Sequence, residues 1–197
     1  MVKTIDEDTC ADIQTADLLY RTSISLMVTL LDRHLRDGAD NLTDSVVFEG
    51  LLAQAVEQFE NWDNLKMAMI DTVDIPDGMK MGSWDLRYDN GELTYNLVDA
   101  TPAKKEIVID EEICHTIQDA HAKLIAIREV QSTMLEMYRE DTTCLFLKSA
   151  QYKNLAKMAF AAESEFEAKK SEMIADADVS DGANWNLTYV SHTLSIY

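Results

Sequence analysis

Basic residues are scarce in this chain: 17 lysines and arginines stand against 36 aspartates and glutamates, a formal net charge of −19. Nucleic-acid binders neutralise phosphates with clustered cations, and no such cluster occurs, so direct binding to DNA or RNA is not expected. Anionic membrane surfaces are disfavoured for the same reason. Cysteine is sparse as well. Cys10, Cys114 and Cys144 are odd in number and form no Cys-x-x-Cys pair, which argues against a disulfide framework and a thiolate zinc site and fits a reducing compartment. Long apolar runs are missing, since the longest, Leu26 to Leu31, is broken by Thr29. The opening Met1-Val-Lys-Thr-Ile-Asp-Glu-Asp turns acidic where a signal peptide would carry its apolar segment, so the expected location is cytoplasmic, with no membrane span. Asn41-Leu-Thr and Asn186-Leu-Thr are then chance matches to the glycosylation pattern. The six glycines form no phosphate-binding loop, and His34, His115, His121 and His192 are scattered outside any Ser/His/Asp or Cys/His arrangement. Neither catalysis nor a cofactor is expected.

What is present is a repeat. Residues 16–78 overlay residues 120–182 without a gap at an offset of 104, with identities at Leu31/Leu135, Leu51/Leu155, Met69/Met173, Ile70/Ile174, Asp74/Asp178, Asp77/Asp181 and Gly78/Gly182. Past the Asp-Gly the offset becomes 101. There Trp84-x-Leu86-x-Tyr88 with Leu93 is matched by Trp185-x-Leu187-x-Tyr189 with Leu194. Two amphipathic helices always align somewhat, but helical periodicity does not explain the shared Asp-Gly followed by Trp-x-Leu-x-Tyr.

Four long segments carry helical spacing: about 8–36, 45–73, 111–139 and 144–175. The first has a broad apolar face through Leu19, Ile24, Leu26, Leu30, Leu31 and Leu35, and the fourth contains no proline or glycine to stop it. At 1.5 Å per residue each helix would be about 40 Å long, which suits a bundle. After each helical pair comes a hairpin signal. Trp84, Leu86 and Tyr88 alternate with polar residues, Asn90-Gly91 is read as a two-residue turn, and Leu93, Tyr95 and Leu97 return. Residues 105–109 are read as a third strand, and 185–197 repeat the hairpin with a weaker turn at Ser191-His192. The apolar Leu194-Ser-Ile-Tyr197 would be an aggregation hazard as an open edge and is expected to be paired. The expected fold is mainly α (α+β): four long helices in a bundle-like arrangement built from two helix-helix-hairpin units, residues 1–109 and 110–197, with short antiparallel hairpins.

The candidate chemistry is thin. Glu112-Ile-Cys-His115 has the Glu-x-x-His spacing that puts two metal ligands on one helical face. Its counterparts in the first repeat, Asp8 and Ala11, include no histidine, so the motif is read as an ordinary acidic helix start. Asp71, Asp74 and Asp77 before Gly78 correspond to Asp176, Asp178 and Asp181 before Gly182. Asp74, Asp77, Asp178 and Asp181 are the weak candidates for a cation site. The second cluster has one residue too many for a calcium loop and lacks its closing Glu, so repeated Asp-Gly turns are preferred and no metal is expected. Most of the ten methionines fall on apolar stripes.

The leading expectation is therefore a non-enzymatic acidic interaction protein that binds a basic protein partner, as an inhibitor, an adaptor or a subunit of a larger assembly. Residues 1–100 hold 20 acids and 7 bases, so the first half carries most of the field. The expected partner-binding residues are Asp37, Asp40, Asp44, Glu57, Glu60 and Asp63 on exposed faces, with Trp84 and Tyr88 of the first hairpin as aromatic anchors. Three alternatives stand beside it: a nucleic-acid mimic that occupies a DNA- or RNA-binding protein, a structural component of a virus particle or other assembly, including a homodimer, and, last, a metal-dependent helical-bundle enzyme.

Overall fold

A computed structural model describes every residue except 39–41, 44 and 181. The fold is mainly α with two small antiparallel sheets. In chain order the elements are β1 (Val2–Thr4), α1 (Glu7–Arg36), α2 (Val46–Asp71), β2 (Met79–Arg87), β3 (Glu92–Asp99), β4 (Lys105–Val108), α3 (Glu111–Met137), α4 (Leu145–Lys148), α5 (Ala150–Asp176), β5 (Trp185–Thr188) and β6 (Thr193–Ile196). Among the described residues, no helix is long and apolar enough to cross a membrane.

Helix starts follow from capping side chains. Asp6 Oδ1 accepts from the Thr9 amide at 2.8 Å to open α1, and Asp110 Oδ1 accepts from the Glu112 amide at 2.9 Å to open α3. Ser45 Oγ accepts from the Phe48 amide at 3.2 Å, and Ser149 Oγ from the Tyr152 amide at 3.0 Å. Ser149 corrects the sequence reading of the fourth helix. Its backbone is extended at ψ 160, so it closes the short α4 and caps α5, and one expected helix becomes two. Serine can do both because its hydroxyl also donates to Phe146 O at 2.6 Å.

The two sheets share one strand order, β1-β3-β2 and β4-β6-β5, with the hairpin's return strand in the centre. Strand β1 was not anticipated, and the strand expected at 105–109 pairs with β6 of the second hairpin. Leu194-Ser-Ile is thus the central strand of its sheet and no open edge. Register matches as well: Lys3 faces Leu93 and Leu86 faces Leu93, just as Ile107 faces Leu194 and Leu187 faces Leu194. The offset falls from 104 to 101 because β2 is longer, with a bulge between Met81 and Trp84.

The hairpin turns differ from the two-residue form. Arg87 pairs with Glu92 and Thr188 with Thr193, which leaves four-residue loops. Gly91 (φ 65) and His192 (φ 49) hold the left-handed position in them, and Asn90 does not, so only the last loop residue needs positive φ. Gly91 O accepts from the Ile5 amide at 2.9 Å, and His192 O from the Ile109 amide at 2.8 Å. These pairs extend the 104 offset upstream of the first overlay, through Ile5/Ile109, Asp6/Asp110, Glu7/Glu111, Cys10/Cys114, Ile13/Ile117 and Gln14/Gln118.

By contacts the chain divides into two compact units that do not coincide with residues 1–109 and 110–197, because each draws on both halves. The first unit comprises residues 1–16, 61–115 and 173–197 and contains both sheets; Ile5, Cys10, Ile13, Met69, Val73, Leu93 and Tyr95 form a buried cluster within it. The second unit comprises residues 17–60 and 116–172. There α1, α2, α3 and α5 share one apolar cluster that includes Met27, Leu31, Phe48, Ile127, Met134 and Leu155, and α4 adds Phe146. Tyr20 donates to Glu129 Oε2 and Tyr138 to Asp32 Oδ1, both at 2.6 Å, so α1 and α3 run in the same direction. Lys123 meets Glu165 at 3.1 Å and Arg128 meets Glu163 at 2.7 Å, which sets α3 antiparallel to α5.

The buried stripe of α1 is narrower than its apolar composition. It runs through Tyr20, Ile24, Met27, Val28, Leu31 and Leu35, while Leu19 and Leu26 face solvent. The match between the halves also loosens here: Leu31 is fully buried, but its counterpart Leu135 is 37% exposed because the stripe of α3 passes through Met134. Leu93 and Leu194, by contrast, are both fully buried.

Gly91 tests the turn geometry. A Cβ there would lie 2.7 Å from Ile5 O on a backbone at φ 65. Gly91→Ala is expected to destabilise the protein by about 1–3 kcal/mol in urea denaturation, as left-handed strain adds to a backbone clash. A loss below measurement error would show that the turn is not held against Ile5.

Candidate functional site

A groove of about 540 Å³ opens in the second unit, and helical spacing builds it. Glu49, Ala53, Val56 and Glu60 recur at three- and four-residue steps along α2, with Leu52 and Glu57 beside them. Thr116, Asp119, Ala120 and Lys123 do the same on α3, and α5 adds Glu165 and Lys169. Five carboxylates and two ammonium groups therefore line it, and Lys123 is already paired with Glu165.

The centre of the groove is a carboxyl pair. The Glu60 carboxyl is pushed up to about 8, first by burial, then by its hydrogen bond to Asp119 and that residue's charge, and further by the charge of Glu57. Burial and the neighbouring Asp119 thus favour the protonated form of Glu60 near neutral pH. Glu60 Oε1 is buried and meets no hydrogen-bond partner among the described residues. Leu52, Ala53, Val56 and Ala120 supply the apolar part of the wall. Such a groove can hold an aliphatic stem that ends in a cation: the stem lies on the apolar wall, and the charge replaces the Glu60 proton.

Glu57 and Glu60 are the expected partner-binding residues that the structure brings together here. Asp37 lies exposed just past α1, 3.8 Å from Arg33. Asp63 belongs to the first unit, where it pairs with Lys66 at 3.1 Å; burial first, and then the charge of Asp63, push the Tyr189 hydroxyl up to about 12. Trp84 and Tyr88 are half-buried and pack against the cluster of the first unit. Asp40 and Asp44 lie outside the described residues, as does Asp181. Asp74 and Asp77 are exposed, Asp77 at a turn in which Gly78 takes φ 79; Asp178 (φ 51) is exposed just past α5, and Gly182 takes φ 81. Among the described residues, metal-type ligands converge at Glu111, His115 and His192, and none of Asp74, Asp77 or Asp178 takes part.

The sequence reading missed Asp119, Glu49 and Glu165. The spacing of Glu49 and Glu60 on α2 was visible, but nothing local says that Asp119 faces Glu60 from another helix. No protein-family model, curated protein or solved structure matches the chain.

The raised Glu60 carboxyl has a thermodynamic consequence. Glu60 takes up its proton near 4.5 in the unfolded chain and at about 8 in the folded one, so between these values the folded state binds more protons. Stability from this group is full below 4.5 and is lost as pH rises through about 8. Glu60→Gln should remove the loss: chemical denaturation at pH 5 and pH 9 should show the variant gaining on the wild type at the higher pH. An unchanged difference would mean that the carboxyl titrates normally.

Proposed function

We propose that this chain is a non-enzymatic acidic protein that binds a basic protein partner, and that the groove at Glu60 and Asp119 receives a lysine or arginine side chain of that partner. The observation that carries the reading is Glu60 facing Asp119 in the groove, with its buried Oε1 meeting no hydrogen-bond partner among the described residues. A half-buried carboxyl beside another acid favours its protonated form, and an incoming ammonium or guanidinium would take the place of that proton. The net charge of −19 steers a basic partner toward the molecule from a distance. The same reading takes the chain as two copies of one strand-helix-helix-hairpin unit, supported by the matched caps, registers and turns. The groove draws on both copies and its carboxyl pair does not recur: Glu60 and Asp119 correspond to Ser164 and Thr15.

Isothermal titration of the full chain with a lysine- and arginine-rich peptide tests it. Run at pH 7 in buffers of different ionisation enthalpy, binding should release close to one proton from the wild type and none from Glu60→Gln. Affinity should fall between 0.1 M and 1 M salt, as the Debye length shrinks from about 10 Å to about 3 Å. Equal proton release from the two proteins, or binding indifferent to salt, would remove the groove as the contact.

A further inference from the structure

On the first unit, three side chains from two distant parts of the chain converge outside the groove. Glu111 and His115 stand one turn apart at the start of α3, with His115 Nε2 3.6 Å from Glu111 Oε1. His192 comes from the β5–β6 turn, and its ring meets that of His115 edge-on at a centroid distance of 6.0 Å. One ligand atom from each residue lies within 4.8 Å of the others. We propose that Glu111, His115 and His192 form a binding site for a borderline divalent transition metal of the zinc type.

The donor set selects the metal class. Two imidazoles and one carboxylate suit Zn²⁺ and its neighbours, whereas Mg²⁺ and Ca²⁺ require an oxygen shell. A tetrahedral zinc with bonds of about 2.0–2.1 Å sets its ligands about 3.4 Å apart. Closing from 4.8 Å needs only side-chain rotation by Glu111 and His115, both largely exposed. The remaining coordination position would face water.

The backbone already holds the two sides together. His192 O accepts from the Ile109 amide at 2.8 Å, and the His192 amide donates to Tyr189 O at 3.3 Å. The first of these bonds fixes the turn two residues ahead of Glu111. His192 also occupies a left-handed conformation at φ 49, where the matching turn has Gly91. A side chain in that conformation is strained relative to glycine, so His192 stands in the turn at a local cost that Gly91 avoids. In the first half, Glu7, Ala11 and Gly91 take the three positions, and they line a cavity of about 640 Å³. Two residues with little or no side chain there become two imidazoles here. The dipole of α3 disfavours a cation at its first turn, and the carboxylates of Glu111 and Glu112 oppose that penalty.

The repeat supplies the variants for the test. His115→Ala and His192→Gly install the residues of the first half, and glycine relieves the strained turn, so both should keep the helical circular-dichroism signal. Zn²⁺ is titrated into the full chain in competition with a chromophoric chelator, and Co²⁺ is followed by its visible absorption. One equivalent should bind to the wild type, and each variant should weaken it by about tenfold or more. The Co²⁺ spectrum should show no sulfur-to-metal charge-transfer band. Equal affinity in wild type and variants, displacement of Zn²⁺ by Mg²⁺ at similar concentration, a thiolate band, or no binding at all would overturn the site.

Discussion

In the second unit, four amphipathic helices must bury their apolar stripes against one another. None of these stripes is satisfied alone: Met27 and Leu31 of α1, Phe48 of α2, Ile127 and Met134 of α3 and Leu155 of α5 are all buried in one cluster. Burying each such side chain stabilises the fold by about 1.5–3 kcal/mol relative to exposure, far more than any surface ion pair on the same helices. That seam fixes which faces look outward, and so it places Glu60 on α2 opposite Asp119 on α3. The groove is what remains where the packed faces end.

A chain this acidic must fold against its own repulsion, and its carboxylates are placed to limit it. Asp6 and Asp110 sit at helix starts, where amides and the helix dipole favour negative charge. Asp32 and Glu129 accept hydrogen bonds from Tyr138 and Tyr20, and Asp17 and Asp32 pair with Arg21 and Arg36 on the next turn. Glu60 has none of these partners and meets another acid instead. That contact makes the groove chemically distinct from these compensated acids.

Both candidate sites lie where the two halves depart from each other. Backbone features repeat: caps at Asp6/Asp110 and Ser45/Ser149, left-handed residues at Gly91/His192 and Gly78/Gly182, and the register of both sheets. The chemistry does not repeat. Demanding that metal ligands recur at the 104 offset led the sequence reading away from His115, although a site confined to one half requires no such recurrence. The Glu-x-x-His spacing pairs His115 with Glu112, whereas the structure places Glu111 3.6 Å from His115 and brings His192 to them from a turn far along the chain.

The sequence by itself determined the long helical segments, the two hairpins and the excess of negative charge, because periodicity, capping residues and turn glycines act over a few residues. It misjudged the break at Ser149, where a helix-compatible composition yields to a side chain that serves two helix ends, and the width of the α1 stripe, where Leu19 and Leu26 find no partner. Only the tertiary structure decided that Asp119 faces Glu60 and that His192 joins Glu111 and His115. Those pairings span tens of residues in sequence. They are set by how buried stripes and strand registers bring separate elements side by side, and no local pattern records which polar residues then face each other.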